Sequence, residues 1–482
     1  MILHAIPNMR HKWMGRLALV ALAAGLSVQP ALAQDGAALT PHQQLARDIY
    51  RDVIAFRTAR GQQQVPAMVS YLVDRFKQAG FAEEDIRVTD YDSEGEKTQG
   101  LMVTYRASPG STKKPIVLLG HMDVVDALAR DWVRPPFTLV EEDGYFFGRG
   151  TLDNKYGITN LTATFLRLKA EGWQPSRDLV LVLSGDEETG MISTRAQAQY
   201  VAENIDPEFV LNSDAGGIAL AEDGTPVAFR VQSAEKTFAT YELTVTNPGG
   251  HSSRPRADNA IYELAEAIGK IAAYRFPVRA TELTRSYFAT AGKLTPGDLG
   301  QAMQRFAADP SDAAAIAALR ANPESVGTLG TTCVATMLEA GHAENALPQS
   351  ATATVNCRIF PGEGAAATEA RLKQAIGNDN ISFKLITNVT ESPESELRDD
   401  VKAALRTSLD QRYPGLTILP YMESGGTDGM HYRTLGYDTV AISGAAMKAS
   451  DMFAHGLNER LPVASFYGGL DHWYAILKTL AD

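Results

Sequence analysis

Apolar residues recur along this chain with two different periods, and the switching between them defines its elements. Val65, Met68, Val69, Leu72 and Phe76 fall at helical spacing, and Gly80 follows as a C-terminal stop. Ile158, Leu161, Phe165 and Leu168 repeat that stripe as far as Gly172. Ile116–Leu119 and Leu179–Leu183 are unbroken apolar runs of strand length, the pattern of strands covered on both faces. Val210–Leu211 and Thr439–Ile442 are shorter runs of the same kind. Strands alternating with helices predict an α/β fold, with a largely parallel sheet flanked by helices. From Lys236 the texture changes. Tyr241–Thr246 and Ala351–Ile359 alternate as half-exposed strands do, Ala260–Ala273 reads as a helix, and the Ala-rich polar stretch Ser286–Glu324 also reads as helical. We read residues 236–394 as an α+β domain inserted into a main domain formed by 34–235 and 395–482.

The N-terminus has a different character. Arg10, Lys12 and Arg16 precede an apolar run from Leu17 to Val28, and Ala31-Leu32-Ala33 supplies small residues before Gln34. These are the three parts of a cleavable secretory signal peptide, expected over 1–33 with cleavage after Ala33. The run is too short for a membrane span, which needs about 20 residues. The expectation is a periplasmic or secreted protein with no membrane association after cleavage. The whole chain has 482 residues and a net charge of −12, and loss of the leader takes it to −15. Such a balance argues against a nucleic-acid partner, which demands a basic face. The two cysteines exclude a Cys₄ zinc site and a disulfide scaffold. Cys333 and Cys357 lie on two predicted strands of the insert, and the sequence leaves open whether they pair.

Candidate chemistry clusters where the strands end. His121-Met122-Asp123 follows one apolar run, and Gly185-Asp186-Glu187-Glu188-Thr189-Gly190 follows another. Asn212-Ser213-Asp214 closes a third strand and Phe453-Ala454-His455-Gly456 follows the last, while Asp153 stands before the helix of Ile158. Open α/β sheets bind ligands beyond the carboxyl ends of their strands, where all these groups would meet. Alone, a histidine after a strand or an acidic turn is ordinary. Several carboxylates buried together without a cation are costly, and two His with three acids suit two neighbouring zinc ions that share one carboxylate.

In order, the chain carries H-x-D, G-R-G-x-x-D-x-K, G-D-E-E-x-G, S-D, G-G-H-S-S, N-x-L-P, R-I-x-P-G, G-G-T-D and H-G-x-N-E. This series resembles the dizinc exopeptidase family of aminoacylase, carboxypeptidases G and S, and succinyl-diaminopimelate desuccinylase, over residues 45 to 480. Asn345–Pro348 and Val355–Gly362 are most similar to the carboxypeptidase S and N-acyl-amino-acid hydrolase branch. The resemblance implies a zinc exopeptidase catalytic domain and a ferredoxin-like inserted lid, through which family members form homodimers. It implies that His121, Asp153 and Asp214 hold one zinc, and that Asp153 bridges to a second held by Glu188 and His455, with cobalt or manganese as substitutes. Asp123 would stand behind His121 as an acceptor fixing its tautomer. Glu187 is implied as general base and His251 as the oxyanion-stabilising group.

The same resemblance places the free carboxylate of the released residue against Arg358, Asn345 and the Gly425-Gly426-Thr427 loop. A planar guanidinium fork suits a carboxylate, and glycine lets the backbone approach it closely. The expected activity is metal-dependent hydrolysis of the amide before a C-terminal residue whose carboxylate is free, in a peptide or an N-acyl amino acid. The rivals are a dizinc aminopeptidase or dipeptidase, and a non-catalytic peptide-binding relative. No G-x-S-x-G elbow occurs, which leaves a serine hydrolase without its nucleophile. His342, His431 and His472 match none of the family positions and read as structural or surface residues.

Overall fold

The computed structural model describes residues 38–482. The expected signal peptide lies outside the described residues. Among them, no helix is long and apolar enough to cross a membrane.

In chain order the described residues form helices α1 (Pro41–Ala55) and α2 (Val65–Gln78) and strands β1 (Ile86–Ser93), β2 (Glu96–Tyr105) and β3 (Ile116–His121). Next come α3 (Lys155–Ala170), β4 (Leu179–Ser184), α4 (Ile192–Asn204), β5 (Phe209–Asn212), β6 (Gly217–Leu220) and β7 (Pro226–Glu235). The segment with the second sheet follows: β8 (Thr237–Thr246), α5 (Ala260–Ala273), α6 (Glu282–Leu294), α7 (Gly297–Ala308), α8 (Ala313–Arg320), β9 (Thr332–Ala340), β10 (Ser350–Ile359), α9 (Ala365–Ile376) and β11 (Ile381–Leu385). The chain returns through α10 (Asp399–Leu409), β12 (Ile418–Glu423), α11 (Gly429–Thr434), β13 (Thr439–Ala441), β14 (Ala446–Lys448) and α12 (Val463–Ala481).

The large sheet runs β1-β2-β4-β3-β5-β13-β7-β6-β14, with β12 also paired to β7. Its central ladders, β4 to β3, β3 to β5 and β5 to β13, are all parallel. The unbroken apolar runs have the cause expected of them. Ile116 and Leu118 of β3, with Leu179, Leu181 and Leu183 of β4, pack with Phe165 of α3 and Trp473 of α12. The alternate residues, Val117, Leu119, Val180 and Val182, pack on the other side with Ala198 and Val201 of α4 and Tyr432 of α11. Both faces are buried, so neither can be polar.

The smaller sheet is antiparallel, in the order β9-β10-β8-β11. Tyr241, Leu243, Val355, Cys357 and Ile359 share a core with Leu264 and Ile271 of α5 and Leu372 of α9. Cys333 stands directly opposite Cys357 in the β9–β10 ladder, and the two form a disulfide with their Cα atoms 4.1 Å apart.

The helices of Ser286–Glu324 form as predicted but pack elsewhere. Phe288, Met303 and Phe306 bury their apolar faces with Ala228 of β7 and Leu419 of β12, the rim of the large sheet. In the chain they lie between two strands of the small sheet, whereas they pack on the large one. An amphipathic helix settles where an apolar partner surface is offered. The crossings between the sheets are tied down: Lys236 N–H donates to Glu423 O at 3.0 Å and Ser395 N–H to Ser233 O at 2.7 Å. A buried ion pair joins Glu235 to Arg433 beside them.

Candidate metal centre

The predicted ligands meet beyond the strand ends. His121 is the last residue of β3, Asp214 lies two residues past β5, Glu187 and Glu188 occupy the turn after β4, and Asp153 precedes α3. His121 Nε2 lies 2.9 Å from Asp153 Oδ1 and 3.3 Å from Asp214 Oδ1. On the other side of Asp153, His455 Nε2 is 3.0 Å from its Oδ2 and 2.9 Å from Glu188 Oε1. Two three-residue groups thus share Asp153, and within each the donor atoms lie within 4.8 Å of one another. Ligands about 2.0–2.1 Å from a tetrahedral ion stand roughly 3.3 Å apart, close to these separations. Imidazole nitrogens with carboxylate oxygens are also the donor set a divalent cation of the zinc type accepts. The residues fit two ions.

The protein's own charges reinforce this. Burial pushes the Glu187 and Glu188 carboxyls up from their ordinary values. Hydrogen bonds to Asp153 and Glu188 push His455 up to about 10. Burial opposes protonation of His121, yet Asp214, Asp123 and Asp153 overcome it and raise that group as well. The acids of the cluster thus favour positive charge at both histidines. Divalent cations balance the same acids and free the imidazoles to ligate.

Neighbouring residues fix the ligands. His455 has a backbone φ of 62°, an uncommon value for a residue other than glycine. Arg149 Nη2 holds that loop by donating to His455 O at 3.1 Å and Gly456 O at 3.2 Å. Arg149 Nη1 in turn donates to Glu459 Oε2 at 2.7 Å, while Glu459 Oε1 accepts the N–H groups of Leu152 and Asp153 at 2.7 and 3.0 Å. This buried pair therefore positions both halves of the second group. Both residues sit in quoted motifs, G-R-G and H-G-x-N-E, but nothing in the sequence pairs them.

Asp123 acts differently from expectation. His121 Nδ1 meets its backbone carbonyl at 3.0 Å, while the nearest carboxylate oxygen is 3.6 Å away. The carboxylate instead accepts the N–H groups of Glu187 and Glu188, each at 3.0 Å. It thus sets the turn that aims both glutamates, and the carbonyl fixes the imidazole tautomer. Glu187 is buried but lines the cleft, and its carboxylate accepts no hydrogen bond from the described residues, so its oxygens remain available there. Asp428 of the G-G-T-D motif, pushed up to about 7 by burial, ties Ser184 of β4 to Thr194 of α4 at 2.8 and 3.0 Å.

A cleft of about 860 Å³ runs from Asp153, Glu188 and His455 to Arg358, Gly425 and Gly426. Arg358 Nη1 donates to Ser424 O at 3.1 Å, and its guanidinium lies 4.7 Å from the Phe238 ring centre. Thr427 does not line the cleft. Its hydroxyl accepts Gly429 N–H at 3.2 Å, so its place is beneath the loop, not on its surface. His251 and Asn345 do not line the cleft either. Exposed His251 belongs to the two-stranded ladder of Gly250–His251 and Ala346–Leu347, and Asn345 stands next to it, accepting Ser252 N–H on its carbonyl at 3.0 Å. His472 is structural, between Ser408 Oγ and Ile442 O at 2.9 Å each. His342 is exposed, whereas His431 is buried at the cleft wall, where burial pushes it down to about 4.

Comparison with known proteins defines the class. The model of peptidase family M20/M25/M40 matches residues 117–479, and the chain belongs to this family of metal-dependent amide hydrolases. The chain is 28% identical to the probable carboxypeptidase S-like 2 of Dictyostelium discoideum over 383 residues, 76% of this chain and 71% of that one. It is 27% identical to aminoacylase-1 of Sus scrofa, across 90% of this chain and 95% of the relative. The human N-fatty-acyl-amino acid synthase/hydrolase PM20D1 is 26% identical, over 73% of this chain and 71% of that one. Among solved structures, the fold resembles the M20 metallo-carboxypeptidase Sso-CP2 of Sulfolobus solfataricus at a TM-score of 0.67 and 18% identity, covering 90% of this chain and 99% of that one.

Proposed function

We propose that this chain is an exported dizinc enzyme that hydrolyses the amide bond before a C-terminal residue whose carboxylate is free. The observation carrying this reading is one cleft lined both by Asp153, Asp214, Glu188 and His455 of the metal groups and by Arg358 with Gly425 and Gly426. Zinc ions held by His121, Asp153 and Asp214, and by Asp153, Glu188 and His455, would polarise the amide carbonyl and lower the pKa of the attacking water. Arg358 binds the carboxylate, which lays the scissile amide across Asp153. Glu187, its oxygens open to the cleft, takes the proton from the water and passes it to the leaving amine. Asp123 keeps Glu187 and Glu188 on their separate tasks by holding both backbone N–H groups.

Arg358→Ala is expected to raise KM for free-acid substrates by roughly 10- to 100-fold, the worth of a charge-assisted hydrogen bond. Titrating initial rates against substrate checks it, and an unchanged KM removes Arg358 from the site.

His251 supports a homodimeric reading. It is exposed on the insert, its Nδ1 accepts Ser253 N–H at 3.1 Å, and Nε2 remains available to an oxyanion. Delivery to the cleft requires closure of the insert or a second subunit. His251→Ala is expected to lower kcat more than it raises KM, because the oxyanion exists only in the transition state. Mixing His251→Ala with Glu187→Gln protein should restore activity if the histidine crosses a dimer. Absence of recovery after demonstrated subunit exchange favours closure within one chain.

A further inference from the structure

Lys236 joins the two sheets, between the last residue of β7 and the first of β8, and none of the motifs contains it. It is 2% exposed, yet it lines the cleft that holds Arg358, Gly425 and Gly426. Its Nζ donates to Gly330 O at 2.7 Å, and that is the only hydrogen bond of the ammonium group among the described residues. Two of its three N–H bonds are unspent. Neither Lys236 nor Arg358 has a carboxylate within 4.0 Å among the described residues. Both cations line the same cleft as Gly425 and Gly426. Arg358 reaches the Ser424 carbonyl, and Gly327 is held so close that an added Cβ would lie 3.2 Å from Ser424 Oγ and 3.7 Å from Lys236 Nζ. The N–H groups of Gly425 and Gly426 have no acceptor among the described residues.

A buried ammonium normally has a counter-charge. Here burial, with the like charge of Arg358, outweighs the attraction of Glu363 and pushes Lys236 down to about 7. A structural lysine would gain more from an acid or from several carbonyls. This one shares a cleft with a second cation and with free backbone donors, the arrangement of an anion site whose charge arrives with the ligand.

We infer that Lys236 is a second anchor for the carboxylate of the residue to be released, acting with Arg358 and the Gly425-Gly426 backbone. The assignment rests on the carboxylate-anchored reading of the cleft. Arg358 has already committed Nη1 to Ser424, and Lys236 supplies further donors to the same oxygens. The loop Gly327–Thr331, which follows the helical segment packed on the large sheet, holds the ammonium group in place through the Gly330 carbonyl. That segment therefore contributes to substrate anchoring without touching the substrate.

The test compares zinc-loaded wild type, Lys236→Met and Lys236→Arg on an N-acetyl amino acid and its C-terminal amide, with zinc content and melting temperature measured alongside. Lys236→Met should keep two zinc equivalents, raise KM for the free acid about 10-fold or more, and change kcat less than about 3-fold. Lys236→Arg should recover most of the lost affinity. Met has a similar shape without the charge, so a purely structural lysine predicts an unchanged KM. If the Met variant yields no folded protein, Lys236→Gln takes its place under the same criteria. A KM within 2-fold of wild type, or a fall in kcat accompanied by zinc loss, overturns the assignment to Lys236 alone. A wild type that cleaves acid and amide equally overturns the carboxylate-anchored reading beneath it.

Discussion

Glu187→Gln is expected to lose turnover by at least about 10²-fold while keeping its fold and both metal equivalents, as removal of a general base does. Glu187 and Glu188 are adjacent and chemically alike, so only the geometry separates them. Glu188 Oε1 lies 2.9 Å from His455 Nε2, inside the second metal group, whereas the Glu187 carboxylate has no partner there. Glutamine matches glutamate in shape and still fills the buried site, but it cannot accept a proton at neutral pH. Metal content together with single-turnover rates decides the matter. Loss of one metal equivalent in this variant would mean that the two glutamates have exchanged roles.

Asp153→Ala should abolish activity more completely than any other ligand change. Its two oxygens face different histidines, His121 at 2.9 Å and His455 at 3.0 Å, so one side chain belongs to both groups. Removing it weakens both ions together and leaves like-charged ligands facing one another with less cation to hold them. The drop should exceed the roughly 10²–10⁴-fold owed to a single proton-transfer group, because carbonyl polarisation and water activation fail at once. His455 belongs to one group only. Stripped His455→Ala protein titrated with zinc should therefore retain one tight equivalent, and Asp153→Ala fewer. Two tight equivalents in the His455 variant would remove it from the centre.

Much of this was legible in the chain because the causes are local. Strands β3 and β4 announce themselves by unbroken apolar runs, since helices cover them on both sides. His121, Asp153, Glu188 and Asp214 were legible because each sits just beyond such a strand or before a helix, where the fold class puts chemistry, whereas His455 lies in a loop past β14 and only its motif marked it. What stayed hidden depends on a partner far along the chain. Glu459 reads as one more acid until Arg149 and the Asp153 N–H are seen around it. Lys236 reads as a surface residue at a domain crossing until the Gly330 loop closes over it. The amphipathic stripes of α6 and α7 say that a face is buried but not against what, so their docking on β7 and β12 could not be foreseen. The cysteine pairing needed the β9–β10 register, and a shift of one residue would have set Cys333 and Cys357 on opposite faces. The motif places Thr427 in the carboxylate-binding loop, and its burial beneath that loop shows only once its hydroxyl is seen accepting Gly429 N–H.

The account joins the metal groups and the Arg358 end of the cleft into one reaction, and a single comparison tests that junction. Wild-type enzyme loaded with zinc should cleave a set of N-acyl amino acids and dipeptides with free C-termini, and cleave the C-terminal amides of the same compounds at least about 10-fold less efficiently in kcat/KM. Equal efficiency on acids and amides would contradict the account and leave an aminopeptidase-type reading of the same metal centre in its place.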